Sequence, residues 1–197
     1  GSYHTNLEYQ KKAIERQSKL PLSMLTPFLR LNYAIANYYV GNLVDAVKAS
    51  EMGINELDSI KPGQFKQVTF HKTEDPEYLR ILIQSYLSFF HFQSGNIEKA
   101  RSLANEIIYN FDDDWQVEVG KVNIGKYRPV SLAYQTLGDI ALTENQFDTA
   151  QENYYQSLKY IHLEPKPELY DDRSMVIKLG IAKSHLSKWF SSSDSVL

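Results

Sequence analysis

The sequence predicts a mostly α fold: about three helical hairpins stacked side by side, with capping helices and a small inserted β-hairpin. Three observations lead there. Residues 131–164 carry two apolar stripes at helical spacing joined by a tight turn. Weaker copies of that plan lie upstream, around Gly41-Asn42 and Gly95-Asn96. One stretch, 112–128, switches to two-residue alternation.

In the clearest unit Ala133, Leu137, Ile140 and Ala141 recur at spacings of four, three and one, which gathers them on one side of a helix. The pattern breaks at Thr143-Glu144-Asn145. Asn145 is expected to act as N-cap of the next helix, its side-chain oxygen accepting from an orphan backbone N–H, and Asp148 suits the positive helix start. Phe147, Ala150, Tyr154, Leu158 and Ile161 then give a second stripe at three and four, so the unit reads as an α-hairpin.

With Ser131 as first position, Leu137-Gly138 supplies a small residue at the helix crossing and Ala150 a second one. Phe147 and Tyr154 supply aromatics around the turn. In these residues the unit resembles the tetratricopeptide repeat (TPR), a helix-turn-helix of roughly 34 residues. Tyr134 sits where that family often has Trp. The departures are Asn145 in place of the turn glycine, Ser157 in place of a small alanine, and a proline that comes late, at 165.

Along the chain, residues 3–19 carry Leu7 and Ile14 with Tyr3, Tyr9 and Ala13 beside them. They are expected to form an amphipathic end-cap helix that stops before Pro21. The next unit begins near Pro27. Phe28, Leu31, Ile35 and Tyr38 make its first stripe, Ala34 is the small crossing residue, and Leu43, Ala46, Val47, Ser50 and Ile54 continue past the turn. A third unit pairs the apolar, aromatic run Tyr78 to Gln93 with Ile97, Ala100, Leu103, Ala104, Ile107 and Ile108. Turn positions 41, 95 and 145 are 54 and 50 residues apart, longer than a bare repeat, so each junction holds an insertion.

In the second insertion Trp115, Val117 and Val119 alternate with polar residues, and Val122 and Ile124 alternate in the opposite phase. A two-residue turn at Gly120-Lys121 resolves the phase flip, because it pairs Val119 with Val122 and Val117 with Ile124 on one face. A β-hairpin is expected here. It is marginal alone, so it should lean on the helices or gain a third strand, for which Val68 and Phe70 in the first insertion are candidates. Pro165 and Pro167 close the lead unit. Met175, Leu179, Ala182 and Leu186 then mark a last helix to about Phe190, expected to cap the stack, followed by a polar tail, 191–197, expected to fray.

The 197 residues fit a single helical-repeat domain, 1–197, and suffice for a substantial core. Gly1-Ser2 reads as an expression scar. The compartment is therefore unknown: the cytoplasm is slightly favoured, with a periplasmic or lipid-anchored place open if an N-terminal signal was removed. No apolar run reaches the roughly 20 residues needed to span a bilayer. A net charge of −3 with scattered Lys and Arg argues against nucleic acid as partner. The absence of cysteine excludes disulfides and thiol chemistry.

His4, His71, His91, His162 and His185 show no metal-ligand spacing. Asp112-Asp113-Asp114 lacks the alternating ligands and glycine of a calcium loop, and no phosphate-loop, dinucleotide or nucleophile-elbow motif occurs. The expectation is a protein that is not an enzyme, with no cofactor and no metal.

The TPR resemblance implies instead a concave face made by the first helices of the hairpins. Its exposed positions map to Phe28, Leu31, Ile35, Tyr38 and Tyr39, then Leu82, Ser85, Phe89 and Phe92, then Leu132, Gln135 and Asp139. Such a groove is aromatic and apolar at one end, polar at the other, and suits a protein or peptide partner. TPR domains that take chaperone C-terminal carboxylates use a clamp of Lys, Asn and Arg. Ile35 and Asp139 stand at positions needing such groups, which argues against that ligand class. A filled groove, occupied by the N-terminal helix or the inserted hairpin, is the competing expectation. Other functional readings are the peptide-sensing module of a larger regulator and a periplasmic or lipid-anchored assembly factor. Oligomeric state is left open.

Overall fold

The computed structural model describes residues 2–20, 22–23, 25–60, 76–111, 125–164 and 171–193. These form eight helices: α1 (Ser2–Gln17), α2 (Leu25–Tyr39), α3 (Leu43–Ser59), α4 (Pro76–Gln93), α5 (Ile97–Asn110), α6 (Arg128–Thr143), α7 (Phe147–His162) and α8 (Asp171–Ser193). Helices α2–α3, α4–α5 and α6–α7 pair as neighbours, α1 packs on α2 and α8 packs mainly on α7. Successive pairs touch through α3 with α4 and α5 with α6, while α2, α4, α6 and α8 approach one another along the other side. The arrangement is a helical-repeat-like series of adjacent helix pairs.

The three tight turns share one geometry. Gly41, Gly95 and Asn145 have φ of 83°, 81° and 59°. At each, two backbone bonds close the preceding helix: Gly41 N to Tyr38 O and Asn42 N to Asn37 O, Gly95 N to Phe92 O and Asn96 N to His91 O, Asn145 N to Leu142 O and Gln146 N to Ala141 O. This is the Schellman closure, whose turning residue is left-handed. Asn145 is thus the C-terminal stop of α6 and not the N-cap of α7, a role that falls to Gln146 without a side-chain bond. Asparagine tolerates the left-handed region better than other side chains, which explains why it can replace glycine.

Small residues set the helix crossings. Ala34, Ala46 and Ala49 surround Phe90, linking the first pair to α4, and Ile81, Ala104, Ile107 and Ala133 join the second pair to α6. At the α6–α7 crossing, Ser131 Oγ donates to Ser157 O at 3.1 Å and Ser157 Oγ to Ser131 O at 2.7 Å. Ser157 therefore serves where alanine is common in the family, because the two hydroxyls satisfy each other's backbone inside a fully buried contact.

The expected β-hairpin requires correction. Among the described residues there is no strand, and 125–128, the end of the stretch assigned to it, are a turn and the first residue of α6. The backbone polar groups here are committed to side chains. Gly125, at φ 94°, and Tyr127 donate their N–H groups to the two oxygens of Glu164, at 2.7 and 2.8 Å, and Gly125 O accepts from the Tyr78 hydroxyl at 2.7 Å. Groups bonded in this way are lost to a strand ladder. The alternating residues 115–124, the suggested third strand at 68–70, the 112–114 aspartates and His71 lie outside the described residues.

Helix α8 departs from expectation in its orientation. Ser174, Ile177, Gly180 and Ser184 are its buried residues, whereas Met175, Leu179, Ala182 and Leu186, which mark this capping helix in the sequence, are exposed. Its inner side meets the ring of Tyr154 so closely that a Cβ on Gly180 would lie 2.6 Å from Cζ. At position 180 only glycine fits, while Ile177 and Ile181 pack beside the ring in the same cluster, and the stripe through Met175 and Leu186 lies on the other side of the helix.

Candidate functional site

Four helices enclose one open cavity of about 400 Å³. Each contributes residues about one turn apart: Ile35, Tyr38 and Tyr39 from α2, Tyr86, Phe89 and Phe90 from α4, Arg128, Leu132 and Gln135 from α6, and Asp172, Arg173 and Val176 from α8. The α2–α4 wall is a ring lattice. Tyr38 meets Phe89 edge-on at 5.2 Å and stacks on Phe90 at 5.5 Å, and at the rim Tyr39 stacks on Tyr3 of α1 at 4.9 Å. Such pairs hold aromatic side chains in fixed orientation, giving a stiff apolar surface.

The opposite wall is polar and carries more positive than negative charge. The Arg128 guanidinium lies over the Tyr86 ring, 5.3 Å from its centroid, and donates to the Tyr86 hydroxyl. Asp172 and Arg173 stand on the facing turn of α8. Gln135 is 6% exposed and its Oε1 has no hydrogen-bond partner among the described residues. A buried acceptor left unmade costs about 1–3 kcal/mol, which a donor entering the cavity would recover. Burial, then the neighbouring Tyr39 and Asp139, pushes the Tyr38 hydroxyl above its ordinary pKa, so it stays protonated and can donate or accept.

Of the residues assigned to the groove from sequence, the structure brings together Ile35, Tyr38, Tyr39, Phe89, Leu132 and Gln135. Leu31 and Leu82 are instead buried in the core between the first pair and α4, with Phe28 packed against it. Ser85 is fully buried and donates to Leu82 O, and Phe92 lies half-buried away from the cavity. Tyr86 and Arg128, one turn before Phe89 and Leu132, were within reach of the same-face rule. The α8 residues were not, since nothing in their spacing says that α8 returns to this cavity.

Asp139 is not among the residues that line the cavity. It is half-buried and accepts from the Tyr154 hydroxyl at 2.7 Å. Burial pushes its carboxyl up from 3.8 to about 6, against the pull of that bond and of the Lys183 charge. A folded-state pKa above the unfolded value means the folded protein holds an extra proton between the two. The stabilising contribution is complete below about 3.8 and is lost as pH rises through about 6. Asp139→Asn, which keeps an acceptor for Tyr154, is expected to remove this loss. Unfolding free energies of wild type and variant from urea titration should diverge between those pH values by on the order of 1–3 kcal/mol, the variant gaining as pH rises. Parallel pH profiles would show that Asp139 does not titrate in this window.

His91 is buried in α4, with its pKa lowered by burial and then by Lys99, while His4, His162 and His185 are exposed. Among the described residues no helix is long and apolar enough to cross a membrane. Comparison with models of known protein families gives no match, and comparison with curated proteins gives none.

Proposed function

We propose that this chain is a TPR-like, non-enzymatic scaffold that holds a peptide segment of a protein partner in the cavity between α2, α4, α6 and α8. The observation that supports this reading is the cavity's construction. An aromatic wall with fixed rings faces a wall bearing Arg128, Arg173, Asp172 and the Gln135 oxygen, in a space of the size that side chains of a bound segment fill. An apolar or aromatic side chain rests on Tyr38, Tyr39 and Phe89, and a backbone N–H of the segment donates to Gln135 Oε1. Aromatic anchors in desolvated pockets carry most of the energy at such contacts.

Selection from a displayed random-peptide library against the whole chain should recover sequences sharing an apolar or aromatic anchor. Tyr38→Ala with Phe89→Ala is expected to weaken the selected peptide roughly thirtyfold. Tyr39→Ala, at an exposed ring, probes the same wall without touching the core and should cost several-fold. Unchanged affinity in both variants, with helical circular dichroism retained, removes the proposal.

A further inference from the structure

The outward stripe of α8 is continuous. Met175, Leu179, Ala182, Leu186 and Trp189 recur at four, three, four and three, the seam spacing of paired helices, and run about 21 Å along the axis. Met175, Leu179, Leu186, Trp189 and the flanking Phe190 are each between 56% and 67% exposed. At on the order of 100 Å² of accessible surface per side chain, these five make a patch of on the order of 500 Å², in the upper range for an ordinary monomer.

Read in either direction, the stripe has the same form: a large residue, a leucine, a small residue, a leucine, a large residue. An isologous contact requires a surface that matches itself after a half-turn. We propose that α8 pairs antiparallel with α8 of a second copy of this chain, with the two-fold axis at Ala182. Ala182 then faces its own copy and lets the helices approach. Leu179 meets the other copy's Leu186, and Met175 meets its Trp189, a sulfur–aromatic contact. Two such patches bury about 1,000 Å², the least that a specific interface needs.

Between Met175 and Trp189 no charged residue falls on a seam position. Lys188 is paired with Asp148 of α7, and the Lys183 charge is near enough to Asp139 of α6 to lower its carboxyl pKa. Lys178 and His185 lie along one flank, and His185 meets Gln151 of α7. The stripe lies on the side of α8 opposite Ile177 and Gly180, so pairing leaves Arg173 on the cavity wall.

Sedimentation equilibrium of the whole chain is expected to give a mass rising from 22.7 kDa towards twice that value as concentration increases through the micromolar range. Leu179→Glu and Leu186→Lys, both at exposed positions, should each weaken the pair roughly thirtyfold or more with helical content unchanged. Mixing the two variants should restore the double mass, because the new charges meet only in the antiparallel register. As the chain has no cysteine, Ala182→Cys should form an inter-chain disulfide with oxidised glutathione as oxidant, while Lys48→Cys on α3 should not. A wild type that stays at 22.7 kDa, a pair that survives Leu179→Glu, or no cross-link at 182 overturns the proposal. A monomer that pellets with phosphatidylserine vesicles, and loses this with Leu179→Glu, overturns it in favour of an anionic lipid surface.

Discussion

Replacing Tyr154 with alanine is expected to lower stability by about 3–5 kcal/mol, the cost of emptying a buried aromatic site that cannot close. The ring is 1% exposed and lies between two backbones. A Cβ on Gly138 of α6 would sit 2.8 Å from its Cδ1 and Cε1, and one on Gly180 of α8 would sit 2.6 Å from its Cζ. Two glycines therefore make the slot that one tyrosine fills, and it joins three helices. Removing the ring also strips the Asp139 carboxyl of its donor. The midpoint of urea unfolding reads the loss. Tyr154→Phe keeps the ring and isolates the hydroxyl, at about 1.5–3 kcal/mol for a bond to a charged acceptor. Gly138→Ala gives the sharper contrast. Helix propensity alone would make it stabilising by about 1 kcal/mol, whereas overpacking against Tyr154 should make it destabilising by about 1–3 kcal/mol. A raised midpoint in Gly138→Ala would refute the slot. Because α8 rests on this ring, Tyr154→Ala should also weaken whatever the cavity holds.

Glu164→Ala is expected to cost about 3 kcal/mol through a different mechanism. The carboxylate, at the end of α7, is buried and accepts the N–H groups of Gly125 and Tyr127, the residues that lead into α6. It caps that helix from outside, where an anion also meets the positive end of the helix dipole. Burial holds its pKa above the ordinary value, and the backbone bonds and the Arg128 charge oppose that rise. Alanine leaves two N–H groups without acceptors, at about 1–3 kcal/mol each. Part of this is offset because a charge no longer has to be desolvated. Glu164→Gln retains one acceptor and should lose about half as much. Amide exchange at Gly125 and Tyr127 should quicken in both variants before the rest of α6 does. An unchanged urea midpoint in Glu164→Ala would show that the contact contributes nothing net. Arg128 follows Tyr127 directly, so the same contact also positions one corner of the cavity.

Helix positions, the turns at 41, 95 and 145 and the crossing residues Ala34, Gly138 and Ala150 were legible in the sequence. Each is a local property: apolar side chains at three and four, a left-handed residue, a missing side chain. Of the positions that the TPR resemblance mapped to a concave face, Ile35, Tyr38, Tyr39, Phe89, Leu132 and Gln135 line the cavity. Where local pattern misled, a distant partner had changed the outcome. The alternation through Val122 and Ile124 suggested strands, yet at its end Glu164, some 39 residues on, takes the backbone donors. The TPR resemblance placed Asp139 on the groove, whereas its carboxylate accepts from the Tyr154 hydroxyl and the residue does not line the cavity.

Helix α8 marks the division most clearly. By itself the sequence determined that a last helix would run to about Phe190 and would carry the apolar stripe Met175, Leu179, Ala182 and Leu186. It could not determine which way that stripe would face, because hydrophobicity ranks side chains without knowing the space that receives them. The tertiary structure decided it: the broad ring of Tyr154 lies against α8 at Gly180, where no side chain fits, Ile177 and Ile181 pack beside it, and Met175, Leu179 and Leu186 are left facing out.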